Sequence, residues 1–398
     1  MKRKGLWMPA VVLVAAVAGC QSSTPAITAL PSEPPPPSFP NVEATRTSAS
    51  PATTTGDCVT DTLTKFSLEQ QVGQVLMIGT TVNAPASLDD TVQKYHLGGV
   101  FLQGRSTHTA AQLRSGIADL QKQAETPVLI ALDQEGGDVQ TLKGPDFPII
   151  PSAFTLGAGP SAKLKGTVAD SAKRLHGIGV TLNLAPVADT VPTSVGKANP
   201  PIGAFNRQYG SDPAKVGAAI RTVVPASQNA GVLTMLKHFP GLGRVRANTD
   251  TSTKAVDDVA TTTDPYLQPF ADGIKAGSAG VMISSASYPK LDDKTIAAFS
   301  KPIITDLLRK KLKFSGLVMS DDLGAADAAE IVPPGERAVR FIGAGGDMVL
   351  TIQGSDAAPM SSALLAKAQS DKAFRTRLTD AARHVLAAKK KAGVLRCG

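Results

Sequence analysis

The apolar run Gly231-Val-Leu-Thr-Met-Leu236 ends in Lys237 and His238, then breaks into Phe239-Pro240-Gly241-Leu242-Gly243. Three other apolar stretches end in polar clusters. Leu132 gives way to Asp133-Gln134-Glu135-Gly136-Gly137, Asn183 leads through Pro186 to Asp189, and Met319-Ser320 leads to Asp321-Asp322-Leu323-Gly324. Carboxylates, an ammonium and an imidazole delivered to one place can hold hydroxyls, move protons and attack a cationic centre. A single acidic strand end is commonly a helix cap, but a set of four supports one site. The five histidines, at 96, 108, 176, 238 and 384, include no pair with metal-ligand spacing. A metal centre is therefore not expected.

Such clusters need a scaffold that brings distant strand ends together. Short runs rich in Val, Ile and Leu occur at 74–80, 97–103, 127–133, 179–185, 232–237, 279–285, 315–320 and 346–352. Stretches with helical periodicity, such as 109–124, 160–177, 213–230 and 301–312, lie between them, and Ser67 to Gln70 reads as a capping box. Alternation of strand and helix implies parallel pairing, and eight units imply a closed (β/α)8 barrel with its chemistry at the C-terminal strand ends. The roughly 335 residues after residue 60 exceed the ~250 typical of that fold, which leaves room for elaborated rim loops.

The strand ends resemble, in order, the motifs of the bacterial β-N-acetylglucosaminidases of glycoside hydrolase family 3. Lys237-His238-Phe239-Pro240-Gly241 is similar to the family's strand 5 signature, and Asp133 to Gly137 to its sugar-gripping strand 3 motif. The stretch from Ile202-Gly203 to Pro213 resembles the loop with a substrate-binding arginine, here Arg207; Ser320-Asp321-Asp322-Leu323 resembles the nucleophile motif. The likeness covers about 70–335 and implies the barrel. It also implies that Asp321 attacks the anomeric carbon, and that Asp133, Arg207, Lys237 and His238 hold the sugar, His238 as a neutral or partly charged donor. Such chemistry forms a covalent glycosyl-enzyme and calls for no cofactor. The implied activity is retaining, exo-acting removal of terminal N-acetylglucosamine from peptidoglycan fragments. A β-glucosidase-type hydrolase and a catalytically weak sugar-binding wall lipoprotein stand as alternatives.

Departures from the family pattern bear on the acid/base. The usual Asp-Ser-His triplet after strand 5 is Asn248-Thr249-Asp250 here, and the preceding Gly-His-Gly is Gly241-Leu242-Gly243. Asp250 is expected to serve as acid/base, with a plain polar turn, or Glu135 as the acid, as the alternatives. An anionic Asp250 repels phosphate and favours water as acceptor. The strand 3 motif lacks both family arginines, reading Gly137-Asp138-Val139-Gln140-Thr141; Arg207, Arg244 and Arg246 are the candidates to compensate.

The beginning of the chain is organised differently. Lys2-Arg3-Lys4 precede an apolar run from Leu6 to Ala18, which is too short for a span, and Val17-Ala18-Gly19-Cys20 resembles a bacterial lipoprotein cleavage site. The expected organisation is a signal peptide over 1–19, a tether rich in Pro, Ser and Thr over 20–57 starting at a lipidated Cys20, and a barrel domain over 58–398. This implies a membrane-anchored protein of the cell envelope facing away from the cytoplasm. The remaining cysteines, Cys58 and Cys397, are expected to form a disulfide in that oxidising setting. Removing 1–19 takes three cations and no acids from the formal +8, leaving +5. The basic runs Arg309-Lys310-Lys311 and Lys389-Lys390-Lys391 read as solvated helix faces. With 4% aromatic residues and no aromatic-interleaved basic stripe, nucleic acid is not an expected partner.

Overall fold

The computed structural model describes residues 57–395. The expected signal peptide, Cys20, the tether up to residue 56 and Cys397 lie outside the described residues. Cys58 is disulfide-bonded.

Eight parallel strands close a barrel in chain order: β1 (Leu76–Thr81), β2 (Gly99–Gln103), β3 (Leu129–Leu132), β4 (Leu182–Asn183), β5 (Leu233–Phe239), β6 (Gly280–Ile283), β7 (Leu317–Asp322) and β8 (Met348–Thr351). Closure comes from β1 against β8, with Leu76 opposite Val349 and Ile78 opposite Thr351. Each strand falls where the apolar runs place it. The expected helices appear as Ala110–Gln123, Ser161–Gly177, Pro213–Gln228 and the π-helical Pro302–Lys311. Ser67 and Gln70 form the expected reciprocal cap of helix Leu68–Gln74.

Strand alternation divides the core into two parts. Met77, Phe101, Leu129, Ala131, Leu182, Met235, Met282, Met319 and Leu350 fill the barrel interior. Ile78, Val100, Ile130, Leu236, Val281, Val318 and Val349 point the other way, into the layer shared with the helices. β4 is shorter than its apolar run because Pro186 has no N–H to give the ladder. The Asn183 side chain takes over part of that pairing. Its amide accepts from Gln134 N (3.0 Å) and donates to Gln134 O (3.1 Å), holding the start of the β3 loop.

The C-terminal helix Lys372–Lys391 closes the lower end of the barrel. Its Val385 and Ala388 join the interior cluster beside Leu129, Leu233 and Leu317, which open their strands. This arrangement corrects the reading of the basic runs. Lys389 is fully buried and donates to Gln74 Oε1 (2.5 Å), and burial pushes its amine down to about 7. Arg309 pairs with the buried Asp347. Only Lys310, Lys311, Lys390 and Lys391 remain on solvated faces. A triple of cations at helical spacing spans more than one face, so one member turns inward.

Candidate active site

The C-terminal strand ends surround a cavity of about 370 Å3. Asp133, Arg207, Lys237, His238, Asp250 and Asp321 all line it, from three strand ends and two loops. Its apolar part is the top of the barrel interior, with Phe101, Leu184, Met282 and Leu350.

Two irregularities in the ladder shape this lining. Asp133 and Lys237 continue the inward parity of Ala131 and Met235. Strict alternation would then send His238 to the outer layer. Instead the pairing slips by one residue between Leu236, opposite Val281, and Phe239, opposite Ile283. Lys237 and His238 thus both line the cavity, while Phe239 returns to the outer core. A similar slip separates Met319, opposite Met348, from Asp322, opposite Leu350, and puts Asp321 and Asp322 at the cavity together.

The sugar-gripping candidates form one charge network. Lys237 Nζ lies 2.5 Å from Asp133 Oδ1 and 2.7 Å from Glu135 Oε1. Arg207 grips the same Glu135 with two bonds, Nε to Oε2 at 2.9 Å and Nη2 to Oε1 at 2.7 Å. Burial alone would raise the Glu135 carboxyl, but Arg207 and Lys237 outweigh it and hold it at about 2. Glu135 is committed to both cations and is not among the residues that line the cavity, which argues against it as the proton donor. It acts as the clamp that fixes Lys237 and Arg207. An ammonium has three hydrogens, so Lys237 keeps one beyond its two carboxylate partners. Asp133, 26% exposed in its side chain, is the more open member of the network.

His238 is anchored from behind. Its Nδ1 lies 2.7 Å from Asp189 Oδ2, and Asp189 is fully buried. Asp189 comes from the segment after β4, where Ala188 N donates to Lys237 O at 2.7 Å.

Asp321 and Asp322 divide two roles between them. Asp322 accepts from the backbone of Gly324 (2.8 Å), Ala325 (3.2 Å) and Ile352 (3.1 Å), so it ties the turn after β7. Asp321 accepts one bond, from Asp322 N at 3.0 Å. Burial pushes the Asp321 carboxyl up, His238 and Lys237 pull it back, and Asp250 adds repulsion; the balance stands at about 6. A protonated carboxyl cannot act as a nucleophile. We expect kcat/KM to fall about tenfold per pH unit below about 6, as Asp321 becomes protonated, and to fall again at high pH, where the acid/base loses the proton it must donate. A pH–rate profile of the substrate-free limb checks this.

Asp250 sits in an exposed turn, its N donating to Asn248 Oδ1 at 3.2 Å. The preceding Thr249 is buried, and its carbonyl accepts from Ala328 N (3.3 Å) in the loop after β7. Both acidic loops are thus joined above the cavity. Arg244 is committed elsewhere: it bonds Asp257 Oδ2 at 2.8 Å, pairs with Asp264 and stacks over Tyr266 at 4.4 Å. Arg246 is exposed and does not line the cavity. At the altered strand 3 motif, Arg105 from the end of β2 donates to Asp138 O (3.1 Å).

Sequence reasoning left Glu135 and Asp189 without their roles. Both were visible as acids beyond strand ends, but their partners come from other strands. Among the described residues, no cluster of three or more His, Cys, Asp or Glu side chains is arranged to hold a metal ion.

A (β/α)8 barrel with a lightly bonded, half-buried carboxylate and a second acid across one cavity is the architecture of a glycoside hydrolase. The chain belongs to glycosyl hydrolase family 3: the model of that family's N-terminal domain matches residues 67–388. A β-hexosaminidase of Xylella fastidiosa is 35% identical over 257 residues, covering 62% of this chain and 73% of that protein. The crystal structure of a β-N-acetylhexosaminidase from Beutenbergia cavernae is 43% identical with a TM-score of 0.80, over 82% of this chain and 99% of that one. LpqI of M. tuberculosis, at 22% identity and a TM-score of 0.72 over 84% of this chain and 97% of its own, shares the fold.

Proposed function

We propose that this glycoside hydrolase is a retaining exo-β-N-acetylglucosaminidase that removes terminal N-acetylglucosamine from peptidoglycan-derived fragments. The observation that carries the reading is the meeting of Asp321 and Asp250 at one cavity whose other charges suit sugar hydroxyls. The β-hexosaminidase relatives support the choice of an N-acetylated sugar.

In the first step an Asp321 oxygen bonds to the anomeric carbon as the bond to the leaving oxygen breaks, and that oxygen takes the Asp250 proton. A glycosyl-enzyme and a free alcohol result. In the second step Asp250, now a carboxylate, takes a proton from water. The water oxygen bonds to the anomeric carbon and Asp321 leaves. Asp133 accepts from ring hydroxyls in this scheme, while Lys237, Arg207 and His238 orient the ring. Electrostatic preorganisation suits this chemistry, because Glu135 holds the two cations before substrate arrives.

Asp250 also selects the acceptor. Its negative charge in the second step repels an incoming phosphate dianion and accommodates neutral water. Free N-acetylglucosamine is the expected main product even in phosphate buffer. Product analysis by mass spectrometry or NMR checks this, and sugar 1-phosphate as the main product would overturn it.

The setting we infer is the extracytoplasmic face of a membrane, with the lipid carried on Cys20 and the barrel held by the tether that follows it. Metabolic labelling with a fatty-acid probe tests it. Label on the wild-type chain and none on Cys20→Ala is expected; label that persists on Cys20→Ala refutes it.

A further inference from the structure

We propose that Asp189 is a positioning residue that holds the His238 imidazole with its proton on Nδ1, so that Nε2 is the nitrogen offered to the sugar. The inference deepens the glycosidase reading of the cavity and rests on it. Asp189 is fully buried on the far side of His238 from the cavity. Its oxygens meet His238 N (3.2 Å to each), Leu242 N (2.7 Å) and His238 Nδ1 (2.7 Å).

The backbone partners settle the direction of the ring bond. Amide N–H groups only donate, so both Asp189 oxygens are already acceptors. An ionised carboxylate has nothing to donate. The bond at Nδ1 is then satisfied only if that nitrogen carries the hydrogen, and the partner of one ring nitrogen fixes the role of the other. His238 is faced by Asp189 from behind, by Lys237 beside it on β5, and by Asp321 and Asp250 around the cavity. The carboxylate also ties Leu242, which begins the loop leading to Asp250.

An Asp189→Asn substitution tests this without removing the side chain's bulk. The amide keeps one oxygen for Leu242 N but presents its NH2 to Nδ1, which favours the opposite ring tautomer. Asp189→Asn is expected to lower kcat/KM about 10–100-fold on a chromogenic N-acetylglucosaminide, as loss of an orienting partner does in metal sites. The double variant Asp189→Asn/His238→Gln is expected to be no worse than His238→Gln alone, because the carboxylate acts through the ring. Losses that multiply, or an Asp189→Asn variant within about threefold of native, would overturn the proposal.

Nitrogen-15 NMR of the wild-type protein gives an independent readout, with His238→Gln identifying the resonance. A protonated Nδ1 supports the proposal, whether or not Nε2 also carries a proton; a bare Nδ1 ends it. This spectrum decides the matter even if Asp189→Asn fails to fold. It also separates the two readings: near-native turnover by Asp321→Asn would defeat the glycosidase mechanism while leaving the tautomer result standing.

Discussion

Asp321→Asn is expected to lose turnover by roughly 10^4-fold or more while the protein stays folded. The amide is isosteric and retains an oxygen for Asp322 N, the single hydrogen bond that the carboxylate accepts. Packing therefore changes little. What disappears is the feature an attack on the anomeric carbon needs, a nucleophilic oxygen at the cavity wall. Because burial disfavours the Asp321 anion, removing the charge should leave the melting temperature unchanged or slightly raised. Hydrolysis of a chromogenic N-acetylglucosaminide, measured beside a melting curve, tests both parts. Near-native turnover in a folded variant would remove Asp321 from the mechanism, and unaltered sugar binding without turnover is the expected companion result.

Asp250→Asn should behave differently, and its signature is a dependence on the leaving group. With an alkyl or sugar leaving group, which needs a proton to depart, the expected loss is about 10^2–10^4-fold. With a dinitrophenyl leaving group the first step needs no acid. The variant should then form the glycosyl-enzyme readily and stall, because no base remains to activate water. A burst of dinitrophenol followed by slow release is the expected trace. Equal losses on both substrates would show that Asp250 has another function. The position suits the role: the turn is exposed and lightly bonded, but Thr249 is tied to the loop that follows Asp321. If the wild-type protein binds N-acetylglucosamine and turns over neither substrate, the chain is a sugar-binding barrel instead.

Some parts of this molecule were legible from residue order because they depend on local rules. Strands such as 127–133 are buried on both faces and read as unbroken apolar runs, so their number and spacing imply the closed barrel. Their polar ends identify the cavity. Long-range partnerships could not be read in this way. The clamp of Glu135 on Arg207 joins residues 72 apart, and nothing near Glu135 in the chain announces it. The one-residue slip in β5 that brings Lys237 and His238 to the same side depends on how Phe239 packs in the outer core. Lys389 shows a further limit. Its neighbours are solvated, and only the fit of helix Lys372–Lys391 into the lower barrel turns it inward.

That same fit brings the two ends of the described chain together. Asp57 lies 3.1 Å from Lys390 Nζ, and Val59 packs with Leu386 and Leu395, so the folded body starts next to the plugged end. The catalytic opening is at the opposite pole. The two ends of the described chain, Asp57 and Leu395, thus meet away from the residues that line the cavity.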